Sequence, residues 1–204
     1  MNMKTIYLFV CSLFMMLLIS GGCNQPKPAA SDINKNEADK PLNSKDGPYV
    51  KNDEDGHLME KGVLKNGEQE GKRNVFFPNG KTRIEEMYVK GEYDGPFKEY
   101  FETGKLMQEG QYVKNSMTGI WKTYYDSGEL KEEVLFKDNN ENGPFKKYYK
   151  NGKIKWEGSY KDGDHEDGEL KLYNEDGELI KKQDCVKGDC NTIWVKKGYE
   201  DAKK

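Results

Sequence analysis

The groups in this chain that could do chemistry are few, and their spacing argues against it. Two histidines, His57 and His165, lie far apart in stretches rich in Asp and Gly. Each reads as a solvated turn residue. The acidic run at residues 162–167 offers alternating oxygen donors of the kind that hold calcium. It departs from the calcium-loop spacing, because Gly168 falls at the seventh place and Tyr173 stands where a bidentate Glu is required. Glu85, Glu109, Glu133 and Glu157 recur at intervals of 24. A group repeated in every unit marks a structural position, whereas a catalytic pair occurs once. No nucleophile elbow, P-loop or zinc signature is present. The expectation is no catalytic residue, no metal and no cofactor.

Cys185 and Cys190 flank residues 186–189. In an oxidising compartment a cross-strand disulfide there would staple the last hairpin. The alternatives are free thiols or a metal pair, although no further cysteine and no well-placed histidine completes a metal site.

The elements that must carry these residues follow from glycine. Gly47, Gly71, Gly95, Gly119, Gly143 and Gly168 are separated by 24, 24, 24, 24 and 25 residues. A second series, nine residues on, reads Gly56, Gly80, Gly104, Gly128, Gly152 and Gly177. A third position holds only Gly or Asn: Gly67, Gly91, Asn115, Asn139, Gly163 and Gly188. Glycine and asparagine most readily adopt a positive φ, so the spacing predicts left-handed turns. Between them lie β-prone aromatic runs such as residues 96–101 and 120–125. Each unit reads as a β-hairpin, joined to the next by a second short turn. Connections this short exclude crossover helices, so the expected fold is all-β: one elongated antiparallel sheet of stacked 24-residue hairpins. The additional residue of the fifth interval is assigned to the acidic turn at 162–167.

Strand parity then gives columns. Trp121 and Tyr125 look one way and Tyr124 the other. A lone hairpin is marginal in water, so stability must come from stacking units against one another. Phe97, Trp121 and Phe145 line up in successive units. They are the candidate partner-binding residues, the competing reading being that they are simply packed columns. Residues 192–195 fall one period after Gly168 and read as a single closing strand, followed by a charged tail at 196–204.

At the other end, Lys4 precedes an uncharged apolar run at residues 6–19. Fourteen residues are too few to span a bilayer comfortably and fit a signal-peptide core. Ser20-Gly21-Gly22-Cys23 then resembles the lipobox of bacterial lipoproteins, with Ser20 where that family usually has Leu. The resemblance implies that 1–22 is a signal peptide and that Cys23 is lipidated, for example by palmitate. The alternatives are ordinary cleavage near Ala29 or Ala30, or an uncleaved anchor. Asn24, in place of an Asp retention signal, favours the outer membrane or cell surface. Residues 24–46 lack aromatics and read, with Cys23, as a lipidated flexible tether spanning 23–46.

The chain has 33 basic and 36 acidic side chains, a formal net charge of −3. They are interspersed, with no basic stripe, which argues against nucleic acid.

Gly-Pro-Phe-Lys-Glu-Tyr-Phe-Glu-Thr-Gly-Lys-Leu from Gly95 and Gly-Ile-Trp-Lys-Thr-Tyr-Tyr-Asp-Ser-Gly-Glu-Leu from Gly119 resemble MORN repeats of the bacterial variant. The resemblance covers about 47–195. It implies a sheet used for binding or scaffolding without an active site, and many bacterial members are labelled antitoxins. The reading is a non-enzymatic, membrane-anchored extracytoplasmic lipoprotein binding a protein or glycan. The alternative is an antitoxin or immunity protein that neutralises a toxin in the envelope.

Overall fold

The computed structural model describes residues 46–200. The expected signal peptide (1–22), Cys23 and nearly all of the expected tether lie outside them, as do residues 201–204. Every regular element among the described residues is a strand: β1 (Gly47–Asn52), β2 (Leu58–Lys65), β3 (Glu68–Gln69), β4 (Gly71–Phe76), β5 (Thr82–Val89), β6 (Glu92–Tyr93), β7 (Gly95–Tyr100), β8 (Leu106–Val113), β9 (Ser116–Tyr124), β10 (Leu130–Lys137), β11 (Asn140–Tyr148), β12 (Ile154–Lys161), β13 (His165–Glu166), β14 (Gly168–Tyr173), β15 (Leu179–Val186) and β16 (Asp189–Val195). They form one antiparallel sheet in the order β1-β2-β4-β5-β7-β8-β9-β10-β11-β12-β14-β15-β16, with two-residue β3, β6 and β13 pairing β2, β5 and β12.

The ladder is sequential because its turns are tight. At the third glycine position both turn residues have positive φ, for example Lys114 at 46° and Asn115 at 66°. Two left-handed residues in a row match the twist of the flanking strands. These turns also stack on each other. The Asn115 amide donates to the Tyr93 carbonyl at 2.8 Å, and its Oδ1 accepts from the Tyr93 amide at 2.8 Å. Asn139 repeats the second bond with the Met117 amide at 2.7 Å. Asparagine thus supplies a bond that glycine cannot, while tolerating the same backbone. Asn115→Gly should therefore keep the turn and lose about 1 kcal/mol, a fall of roughly 2–4 °C in Tm. No fall in a calorimetric scan would mean the side-chain bond adds nothing.

The first glycine series behaves differently from the expected turn. These residues lie at the start of or within strands, where the chain bulges without reversing. Gln111 pairs with Thr118 and Glu109 with Lys122, so three residues, 119–121, face the single Gly110. Positive φ at Gly119, 70°, absorbs that excess. The inserted residue is in the acidic turn, where Lys161 pairs with His165 across three residues; Val113 pairs with Ser116 across only two.

The ends of the units are tied by lysine. Lys81 Nζ donates to the Thr103 carbonyl at 2.9 Å, Lys105 to Ser127 at 2.7 Å and Lys153 to Asp176 at 2.8 Å. Each stem crosses the next unit's turn glycine: a Cβ at Gly104 would lie 3.6 Å from Lys81 Cδ, and one at Gly177 3.4 Å from Lys153 Cδ. Glu129 stands in the lysine position of one unit, and the space at Gly152 is open.

Candidate partner-binding face

The two faces of the sheet are chemically distinct. On one, here the packed face, stand Tyr88, Trp121, Val134, Phe145, Trp156, Tyr160, Leu170, Leu172 and Cys185, all buried. A run of rings crosses the units: Tyr88 to Tyr93 at 4.6 Å, Tyr93 to Tyr112 at 5.1 Å, Tyr112 to Trp121 at 5.1 Å and Trp121 to Phe136 at 6.1 Å between centroids. In the returning strands, glycine makes room for the rings. Tyr49 pairs with Gly62, Phe97 with Gly110 and Phe145 with Gly158. A Cβ at Gly110 would come within 3.0 Å of the Trp121 indole.

Of the three candidate contact residues, Trp121 and Phe145 are 5% and 3% exposed and Phe97 is half-buried. Phe97 and Trp121 touch at 5.6 Å. The rings form packed columns.

Polar groups interrupt this face: Lys147 is paired with Glu132 at 3.2 Å, Gln183 is buried opposite Leu170, and a larger cluster is centred on Arg73. Arg73 takes the ring position of its unit, and Glu86 pairs with it. The guanidinium binds Glu86 through Nη1 and Glu60 at 2.8 Å through Nη2. The Tyr49 hydroxyl donates to Glu60 at 2.5 Å and accepts from Gln69 at 2.6 Å. The hydrogen bond from Arg73 holds the Glu60 carboxyl below its ordinary range, against the opposing effect of burial. Sequence reasoning missed this cluster, although Arg73 is the only charge in the column Tyr49, Arg73, Phe97, Trp121, Phe145, Leu170.

The opposite, open face carries a row of alternating charge. Glu85, Lys98, Glu109, Lys122, Glu133, Lys146, Glu157 and Lys171 are successive cross-strand neighbours. Opposite charges directly across a ladder stabilise it modestly. Tyrosines from the following strand pair cap the acids: Tyr124 donates to Glu109, Tyr148 to Glu133 and Tyr173 to Glu157, each at 2.7 Å. Burial, then these bonds, push Tyr124 and Tyr173 up to about 12. The repeated carboxylates are thus engaged in the scaffold.

Beside that row runs an apolar band. Pro48 pairs with Val63, Met87 with Lys72, Pro96 with Gln111, Ile120 with Leu135 and Pro144 with Ser159. Val63, Met87 and Ile120 are 39%, 37% and 59% exposed, and parity puts Val50, Val89, Val113, Val186 and Trp194 on this same face. Exposed apolar bulk is thus segregated from the packed face.

The band has a period that the sequence reading missed. Proline follows every second glycine of the first series, at Pro48, Pro96 and Pro144. The glycine before it has φ of 113°, 137° and 121°, against 72°, 70° and 82° in the intervening units. Proline restricts the residue that precedes it. Met87 and Leu135 then pack onto Gly95 and Gly143. The result is two matching hollows, one walled by Lys72, Glu85, Met87, Pro96 and Lys98, the other by Ile120, Glu133, Leu135, Pro144 and Lys146. Counterparts are 48 residues apart throughout.

The remaining sites are local. Cys185 and Cys190 pair across the last turn and are joined as a disulfide. Closing so short a loop constrains the unfolded chain by about 2 kcal/mol, so reduction should lower Tm by roughly 4–8 °C. A scan unchanged by dithiothreitol would contradict that. Tyr199 packs against the adjoining core, its hydroxyl accepting from Asn174 at 3.2 Å. His57 lies close to Asp53 and Asp55, but Asp53 Oδ1 already accepts the amides of Asp55 and His57 at 3.0 and 2.8 Å. His165 lies against Gly188 of the next turn.

Comparison with known proteins bears on the repeat itself. No curated protein sequence matches the chain. Among solved structures, one match is a crystal structure of an S. aureus TarM mutant in complex with Fondaparinux, alpha-GlcNAc-glycerol and UDP. It has 14% identity over 48% of this chain and 19% of that one, with a TM-score of 0.34, too weak a likeness to inform function. The family model described as "MORN repeat variant" matches residues 69–90, 93–114, 117–138 and 141–162. Each match begins two residues before a bulge glycine and ends in the next left-handed turn, so four tandem matches to the MORN repeat variant cover the middle of this sheet.

Proposed function

We propose that this chain is a non-catalytic binding protein, held at a cell-envelope membrane by a lipid on Cys23, that presents its repeat sheet to a protein or glycan partner. The observation that carries the binding half is the segregation of exposed apolar side chains onto the open face, where Ile120 is 59% exposed while Phe145 on the packed face is 3% exposed. Apolar area left uncovered on one side of a sheet is typical of an interaction surface. Repetition supports the same reading, since each chemical group on that face recurs and none forms a singular constellation. The lipid half rests on residues 6–19 and on Cys23 after Ser20-Gly21-Gly22.

Labelling cells with radioactive palmitate tests the anchor, with incorporation expected in wild type and lost in Cys23→Ala. Equal labelling removes it. For binding, Ile120→Lys should leave Tm unchanged within about 2 °C, because the side chain is outside the packing, yet reduce co-purification of envelope components. Undiminished co-purification by variants of both faces would end the reading.

A further inference from the structure

Building on the binding reading above, we propose that the partner element seated on the open face is an amphipathic helix of another protein, lying across the strands with its apolar stripe on the band. The two hollows, about 240 and 190 Å³, fall below the roughly 300 Å³ at which small-molecule pockets begin, and each suits a single apolar side chain. The apolar part of the lining is Met87 and Pro96 in one and Ile120, Leu135 and Pro144 in the other. A glycan would need free donors and acceptors for its hydroxyls, and several of those at the walls are already engaged: Lys72 donates to Glu85 at 2.9 Å, Glu133 accepts from Tyr148 at 2.7 Å and Gln111 Nε2 donates to the Tyr112 carbonyl. An extended peptide would lie here with its own amides and carbonyls unsatisfied, whereas a helix satisfies them internally.

The spacing favours the same occupant. Strands repeat every ~4.8 Å and helix turns every ~5.4 Å, so successive turns of a crossing helix meet successive strands. The hollows are four strands apart, about 19 Å, or about 13 helical residues. Charge fixes a direction. Past Pro144 and Ser159 the band ends in Glu169 opposite Asp184; Lys171 and Lys182 already bridge Glu169 at 3.5 and 3.2 Å, whereas exposed Asp184 has no ion pair among the described residues, so the helix should carry a basic residue facing Asp184.

The test places a photo-crosslinking benzoylphenylalanine separately at Val63, Ile120 and Phe97 of the full chain in cells, and maps the adducts by mass spectrometry. Val63 and Ile120 are five strands apart on the open face, and Phe97 is on the packed one. The expected adducts from Val63 and Ile120 fall in one segment of one protein, about 16 residues apart, as a helix requires across roughly 24 Å. Ile120→Lys should cut the Val63 adduct about tenfold. A separation of about 7 residues would indicate an extended chain and overturn the proposal. Scattered adducts, adducts to glycan, or adducts to this chain's own residues 6–19 would overturn it too. Adducts from Phe97 alone sink the helix and leave binding standing, whereas none from any position sinks the binding reading itself.

Discussion

Gly158→Val should lower the unfolding midpoint by roughly 6–12 °C, the equivalent of about 3 kcal/mol for overpacking a filled site. A Cβ at this position would come within 3.0 Å of Leu170 Cδ2, and 3.1 Å from Phe145 Cε1. Both neighbours are among the most buried side chains of the packed face, at 1% and 3% exposure, so neither can swing into solvent. Gly80→Ala is the matched control. There φ is 81° and nothing lies within 4 Å, so the cost is left-handed strain alone, about 1 kcal/mol or roughly 2–4 °C. If thermal scans gave the two variants the same shift, glycine in the returning strands would not be making room for rings.

Arg73→Met is the second large effect, with an expected loss of about 3–5 kcal/mol at neutral pH, because it strands Glu60 and the 3%-exposed Glu86 without a counter-charge. The loss should depend on pH with a definite sign. Arg73 depresses the Glu60 pKa in the folded chain below the ordinary 4.5. That contribution is present above pH 4.5 and disappears as pH falls through the depressed value. The gap between wild type and variant should therefore be widest near neutrality and narrow below pH 4.5, which urea titrations at several pH values would read. A gap independent of pH would mean that Arg73 acts by packing alone.

How much of this was legible in the sequence depends on the residue. The positive-φ positions were, because little besides a left-handed backbone selects glycine and asparagine at fixed intervals. So was the antiparallel hairpin ladder, since turns of two residues leave no room for anything else. The roles of the first glycine series were not, because a bulge and a turn both select positive φ and only cross-strand register separates them. Phe97, Trp121 and Phe145 were assigned to one column, yet parity cannot tell a packed face from an exposed one. That distinction came from the returning strand, where Gly110 and Gly158 let rings lie flat on the sheet. Arg73 and Glu86 were not legible, because charged residues fill most strands of this chain and only cross-strand register puts these two opposite each other on the packed face.

Proline at every second unit carries a last consequence for how such a chain can change length. Excising residues 95–142 would join Asp94 to Gly143 and leave each ring above a compatible neighbour. Excising only 95–118 would bring Trp121 over Glu86 where Gly110 now accommodates it, and should yield a less stable chain. Growth and shrinkage of this architecture are thereby constrained to even steps, and its inheritable module is the pair.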